Sequence, residues 1–235
     1  PAYRSTAEIQ VSKEPEKKTF ALPWARRCAT AAVFYLQKRG ISSEVIRQCL
    51  RAGIFYEARY HGEPVCVFVG KDDSGKAKFA CMRSISGNLK KDVYGSDKGY
   101  NFCYPPQSPG SRHVAVFEAP IDALSHATLQ ELEGWKWNGY RLSLGGTSHV
   151  VLTSFLERHP EIRRVTLYMD HDLAGFVNAR KIKTMLHEDK RFRHIRVSVN
   201  PPRMGKDYNE KLLQVREQLQ TSQHQRRPKE AAVSI

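Results

Sequence analysis

Two aspartates two residues apart, Asp170 and Asp172, close the apolar, β-rich run Val165-Thr-Leu-Tyr-Met169 and stand just ahead of the small-residue turn Ala174-Gly175. Side chains two apart share one face of a strand, so the spacing predicts two carboxylates projecting together from a strand's carboxyl end. Carboxylates held that closely repel unless a cation lies between them, and hard oxygen ligands suit Mg²⁺ or Mn²⁺. The same residues also fit an ordinary strand-to-helix turn with Asp172 as the helix N-cap. Further acids occupy comparable places: Glu118 and Asp122 at the end of the run that begins at His113, and Asp207 in Gly205-Lys206-Asp207-Tyr-Asn-Glu210. His171, between the two aspartates, falls on the opposite strand face and reads as structural.

The elements that must position these acids alternate regularly. His113 to Ala119, Tyr140 to Leu144, Arg164 to Met169 and His194 to Val199 read as strands. Ile121 to Leu132, Val150 to Arg158, Ala174 to Lys190 and Tyr208 to Leu219 read as helices. Such alternation implies right-handed crossovers and an α/β fold, a mostly parallel sheet with helices on both faces. Functional groups of such sheets gather outside the carboxyl ends of the strands. Acids from three separate loops would then converge on one rim, an arrangement that is costly unless a divalent ion neutralises it.

Upstream, Ala29, Ala32, Val33 and Leu36 recur at helical spacing between Ala25 and Gly40, and Ser42 is placed to cap a second short helix through Leu50. The period then changes. Phe55 to Tyr60, Pro64 to Val69, Ala77 to Met82 and Tyr100 to Tyr104 read as strands of a small antiparallel sheet, separated by turns such as His61-Gly62. Its cations, among them Arg83, Lys90, Lys91 and Lys98, are interleaved with Tyr60, Phe79, Tyr94, Tyr100 and Phe102. Alternating cations and aromatics suit a single-strand track on which bases stack and phosphates are neutralised, or else a solvated basic face with its aromatics in the core. The chain therefore divides into a flexible leader (1–23), a smaller basic α+β domain (24–104), a Pro/Gly-rich linker (105–111), the alternating α/β domain (112–220) and a disordered basic tail (221–235).

Composition sets outer limits. The chain has 235 residues, 40% hydrophobic and 26% charged, with 38 Lys and Arg against 24 Asp and Glu and a net charge of +14. That surplus points to a polyanionic partner, and nucleic acid fits better than a membrane because no basic amphipathic anchor or long apolar span is present. The five cysteines form no C-x-x-C pair and sit mostly in apolar runs. They read as reduced core thiols of a cytoplasmic protein, not as a disulfide framework or zinc site. No basic-then-apolar secretion signal opens the chain.

Glu118, Asp170-x-Asp172-x-Ala-Gly175 and Gly205-Lys206-Asp207 resemble the Toprim domain shared by bacterial primases, type IA and II topoisomerases and certain nucleases. The likeness to bacterial-primase catalytic cores extends further. Glu118-Ala-Pro-Ile-Asp122 resembles the primase Glu-Gly-x-x-Asp motif, and Leu144-Gly-Gly-Thr147 its Leu-Gly-Thr. Tyr35-Leu-x-x-Arg39-Gly40-Ile41-Ser42 is similar to the start of the primase amino-terminal subdomain, and Gly95-Ser-Asp-Lys98-Gly-Tyr100 falls at its basic, aromatic segment. The resemblance spans about Ala25 to Leu219 and is best to Toprim-like proteins with a preceding uncharacterised domain, found on bacterial mobile and conjugative elements. Two departures stand out: Ala119-Pro120 replaces the usual Gly and its neighbour, and Asp207-Tyr-Asn209-Glu210 replaces Asp-Pro-Asp-Glu, removing one carboxylate. The zinc-binding and helicase-binding parts of primases have no counterpart in the sequence.

The resemblance implies that Asp170, Asp172 and Asp207 hold Mg²⁺ or Mn²⁺, with Asp122 helping directly or through water. Glu118 becomes a further ligand or a general acid/base, so Glu118, Asp170 and Asp172 form the expected catalytic set. Arg83, Lys98, Tyr100 and Lys206 are the expected contacts to nucleic acid or phosphate. The implied activity is primase-like nucleotidyl transfer on single-stranded DNA from nucleoside triphosphates, with a helicase or relaxase as partner. A metal-dependent nuclease and a catalytically silent DNA-binding accessory are the alternatives.

Overall fold

The computed structural model of the chain describes residues 19–146 and 148–230. Most of the expected leader, Thr147 of the Leu-Gly-Gly-Thr motif and the last five residues of the tail lie outside the described residues. The chain begins with two short helices, α1 (Thr30–Lys38) and α2 (Ser43–Arg51). Ser42 caps α2 as its type predicts, its Oγ accepting from the Val45 N–H at 3.2 Å, and Glu44 and Arg51 complement the helix dipole at the two ends. The expected helix from Ala25 starts only at Thr30. Ala25 instead bridges to Ala58, and the Arg26 N–H donates to the Glu57 carbonyl, so this stretch is held as an extended segment along the sheet.

That sheet is an antiparallel meander, β1 (Phe55–Tyr60), β2 (Glu63–Lys71), β3 (Ala77–Ser84) and β4 (Lys90–Asp92), in the order β1-β2-β3-β4. His61 and Gly62 take φ of 49° and 85°, the left-handed pair that a two-residue hairpin between Tyr60 and Glu63 requires. β2 is buried along most of its length because both faces are covered. Cys66 and Phe68 point into the core shared with α1, α2 and the second sheet, while Val65, Val67 and Val69 pack with Ala58, Ala80, Met82 and Val93 on the other side.

The second sheet carries β5 (Cys103–Tyr104), β6 (His113–Phe117), β7 (Tyr140–Ser143), β8 (Arg164–Tyr168) and β9 (Arg196–Val199), in the order β5-β7-β6-β8-β9. Helices α3 (Pro120–Glu133), α4 (Val150–Arg158), α5 (Leu173–Glu188) and α6 (Tyr208–Glu230) connect or follow these strands. β7, β6, β8 and β9 run parallel, so the expected α/β architecture is present. Strand order reverses between β6 and β8, which makes their carboxyl ends the topological switch point where α/β sheets bind ligands. α3 is buried over Pro120–Gln130 because it lies between this sheet and the preceding domain. Under it, the buried Arg141 donates from Nε to His126 Nδ1 at 3.0 Å and from Nη2 to Gln130, and its guanidinium lies 4.4 Å from the Trp137 ring centre.

Three expectations need correction. The strand expected at Tyr100 to Tyr104 is only Cys103–Tyr104, and it joins the second sheet, antiparallel to β7, because the wholly buried Phe102 anchors there through its carbonyl to the Ser143 N–H. The expected tail from Thr221 is instead a continuation of α6 to Glu230, through a Gln- and Arg-rich stretch that reaches Pro228 only in its last turn. Cys28 is exposed, unlike the other four cysteines. Among the described residues no helix is long and apolar enough to cross a membrane.

Glu57 ties the amino-terminal segment to the sheet. It is 1% exposed, pairs with Arg26 at 2.7 Å and accepts from the Ala32 N–H at 3.0 Å, near the start of a helix that has no side-chain cap. Glu57→Ala orphans that buried N–H and is expected to lower the unfolding free energy by about 2–4 kcal/mol. Urea denaturation reads the change, and a loss below ~0.5 kcal/mol would refute the tie.

Candidate active site

Glu118 follows β6, Asp170 follows β8, Asp122 lies in the first turn of α3 and Asp207 immediately precedes α6. Each position has a local reason. Asp207 Oδ1 accepts from the Glu210 N–H at 2.7 Å, and Glu210 Oε2 accepts from the Lys206 N–H at 2.7 Å, a variant of the capping box. The His171 N–H donates to the Lys206 carbonyl at 2.6 Å, and the Asp170 N–H lies 3.4 Å from Glu118 Oε1, so backbone groups join the three loops. Gly175 is needed where α5 begins: a Cβ there would lie 2.1 Å from the Asp170 carbonyl oxygen.

Asn209, almost fully buried, joins the site to the preceding domain. Its N–H donates to Asp122 Oδ1 at 3.2 Å, and its Nδ2 donates to Ser125 Oγ at 3.0 Å and to the Arg39 carbonyl at 2.7 Å. The residue that seemed only a lost carboxylate therefore fastens α1, α3 and α6 together. Its motif position was visible in sequence, but its partners, up to 170 residues away, were not.

Glu118, Asp122, Asp170 and Asp207 line one pocket of about 180 Å³, faced by Arg39 at the end of α1, Arg83 on β3 and Lys90 on β4. Arg83 is steadied by its Nε–H donating to the Tyr35 hydroxyl at 3.0 Å. Carboxylates thus form one wall and cations another.

The charges respond to this crowding. Burial, then the nearby Asp207 and Asp170, pushes Asp122 up to about 8. Burial, then Glu118, Asp207 and Asp172, pushes Asp170 up to about 6. Glu118 is also raised, chiefly by burial, with the Asp170 N–H opposing. Asp172 goes the other way: the Gly175 N–H, at 2.8 Å, and the Lys206 ammonium, at 3.1 Å, hold its carboxyl below the usual range.

The structure divides the expected site. β8 stops at Tyr168, so Asp170 and Asp172 lie beyond the strand and do not share a strand face. Asp172 caps α5, pairs with Lys206 and does not line the pocket; the ordinary turn reading describes its geometry. His171 packs its ring against Phe176. Of the expected nucleic-acid contacts, only Arg83 reaches the pocket. Lys98 pairs with Asp92, and Tyr100 lies under the Arg158 guanidinium, 3.9 Å from its ring centre, along a separate cleft. Phe79 and Phe102 are core residues, so the interleaved aromatics are not one continuous track.

Among the described residues, no three His, Cys, Asp or Glu side chains are grouped so as to enclose a metal ion. Asp170, Asp207 and Glu118 share the lining of one open pocket without being grouped as a three-ligand set. Mg²⁺ is commonly held by one or two carboxylates, with waters and substrate phosphates completing its shell, so a cage of three is not required for it.

Residues 115–212 match a Toprim-like family model, and residues 34–109 match a family of unknown function, DUF3991. None of the curated proteins matches the chain. Solved structures with a similar fold include the primase fragment of the bacteriophage T7 primase-helicase protein, at 22% identity and a TM-score of 0.58, covering 92% of this chain and 82% of that one. A DNA primase domain from Pseudomonas aeruginosa is 17% identical with a TM-score of 0.51, covering 76% of this chain and 66% of that one. The E. coli primase catalytic core is 16% identical with a TM-score of 0.51, covering 80% and 70%. At these identities the likeness is one of fold.

Two outcomes test the geometry. The Asp122 carboxyl titrates near 8 when folded and near the usual ~3.9 when unfolded, so the folded state binds its proton more tightly. That stabilisation is complete below about pH 4 and is lost as pH rises through 8. Asp122→Asn, which stays neutral, should match the parent Tm near pH 4 and exceed it increasingly toward pH 8, measured by calorimetry in chelator; a pH-independent difference would count against the burial. Gly175→Ala should lower the unfolding free energy by roughly 1–3 kcal/mol through overpacking against Asp170, and an unchanged urea midpoint would contradict the close approach.

Proposed function

We propose that this chain, which carries a Toprim-like domain within a primase-like fold, is a divalent-metal-dependent nucleotidyltransferase that makes primers on single-stranded DNA, in the replication or transfer of a mobile element. The observation that carries this reading is the facing of the two walls: acids from three loops at the switch point of the sheet, opposite Arg39, Arg83 and Lys90 from the preceding domain. Such a cleft suits a triphosphate, because its phosphates meet the cations while the carboxylates face the reacting end. The net charge of +14 supports a nucleic-acid template. A helicase or relaxase would be the partner that brings the template.

In this reading Asp170 and Asp207 would hold Mg²⁺ or Mn²⁺, with Glu118 at the edge of the set. The ion, when bound, would shield phosphate charge and orient the phosphoryl group for in-line displacement. Arg39, Arg83 and Lys90 bind and orient the triphosphate. The Glu118 carboxyl is held above its ordinary range, chiefly by burial, which suits a general base that takes the proton of the attacking 3′-hydroxyl. Asp122 and Asn209 act as positioning residues by fixing the start of α6, and the Asp172–Lys206 pair steadies the outer rim.

The test is incubation with single-stranded template, labelled nucleoside triphosphates and Mg²⁺ or Mn²⁺. Short primers are expected, with synthesis lowered about 100-fold or more by Asp170→Ala. Arg83→Ala should raise the KM for nucleotide by about 10-fold, the worth of a charge-assisted hydrogen bond. Template cutting would replace this reading with a nuclease, and tight binding with neither product would leave a silent DNA-binding accessory.

A further inference from the structure

The opposite end of the second sheet holds a second charged concavity that primer chemistry does not use. α5 starts at the acidic rim and runs 16 residues, about 24 Å, toward the amino ends of the strands. There a hollow of about 380 Å³ is lined by Lys183 and His187 from α5 and by Arg193, His194 and Arg196 from the loop and start of β9, all exposed. Leu186 and Ile195 form its apolar floor, and no carboxylate lines it. Of the neighbouring acids, Asp189 and Glu157 both pair with Arg191, and Glu188 does not line the hollow. Neither Lys183, Arg193 nor Arg196 makes an ion pair among the described residues.

A second observation points the same way. Arg164 and Arg196 stand opposite each other in the register of β8 and β9, both exposed, and like charges so placed repel. An exposed, acid-free group of cations that opposes itself across a strand pair has the charge complement of a polyanion. No Phe, Tyr or Trp ring lines the hollow, and its only rings are the small imidazoles of His187 and His194, so it offers unpaired bases little to stack on. Recognition here would be chiefly by phosphate, through Lys183, Arg193 and Arg196, as for the backbone of a double helix.

We propose that this hollow is a docking site for the phosphodiester backbone of a duplex nucleic acid, separate from the catalytic cleft. It would anchor a double-stranded segment while the cleft engages single-stranded template. This inference stands on charge and shape and does not require the catalytic reading.

The test is fluorescence anisotropy of a short labelled duplex, and of a single strand of the same length, over a range of salt concentrations. In the full chain, Lys183→Gln combined with Arg193→Gln and Arg196→Gln should weaken duplex binding by about 10-fold or more. The slope of log affinity against log salt should fall by roughly 2–3, for three phosphates at ~0.9 each. Single-strand binding should change far less. Unchanged duplex affinity and slope would overturn the proposal, as would an equal loss for single strand, or binding to anionic vesicles that the triple variant abolishes while duplex binding survives. Arg196→Gln alone relieves its repulsion with Arg164, so it should fold with an undiminished Tm and still lower the slope by about 1. Binding is read without catalysis, so an absence of primer synthesis and a failure of this surface are distinguishable.

Discussion

Negative charge crowded onto one partly buried rim is the constraint around which this molecule is organised. Burial raises the proton affinity of Glu118, Asp122 and Asp170, and the neighbouring carboxylates add to the effect. The fold tolerates the crowding in several ways. Asp172 and Asp207 spend oxygens on helix starts, Asp122 accepts from the Asn209 N–H, and Lys206 pairs with Asp172. What remains is a local excess of acid in a chain whose overall charge is strongly positive.

The rim matters because a second wall faces it. α3 is buried between the two sheets, and one continuous core runs from α1 and α2 through Phe68 and Phe102 to Phe117 and Tyr208. That core fixes the antiparallel sheet against the parallel one, which sets Arg83 and Lys90 across from Asp170. Asn209 and Arg216 add direct ties, donating to the carbonyls of Arg39 and Gly40 at 2.7 Å. Neither domain alone would present a cleft with both signs of charge.

The same packing gives the α/β domain two ends of different character. Acids collect at the carboxyl ends of β6 and β8, while cations collect where α5 ends and β9 begins. A parallel sheet makes this separation natural, because every crossover returns the chain to the same starting edge and all carboxyl ends share the other.

Much of this was legible in the sequence wherever burial is a local matter. Helical spacing of Ala32, Val33 and Leu36, the Ser42 cap, the His61-Gly62 turn and the alternation after His113 each depend on residues within a few positions of one another. The grouping of Glu118, Asp170 and Asp207 on one rim was also readable, because parallel topology follows from alternation. Tertiary structure decided the rest. It paired Asp172 with Lys206, moved Cys103–Tyr104 into the second sheet, sent Tyr100 to another cleft and brought Arg39, Arg83 and Lys90 to the pocket of the acids. Those outcomes depend on contacts between residues tens to more than a hundred positions apart, and no local period encodes which distant side chains the packing of two sheets will bring face to face.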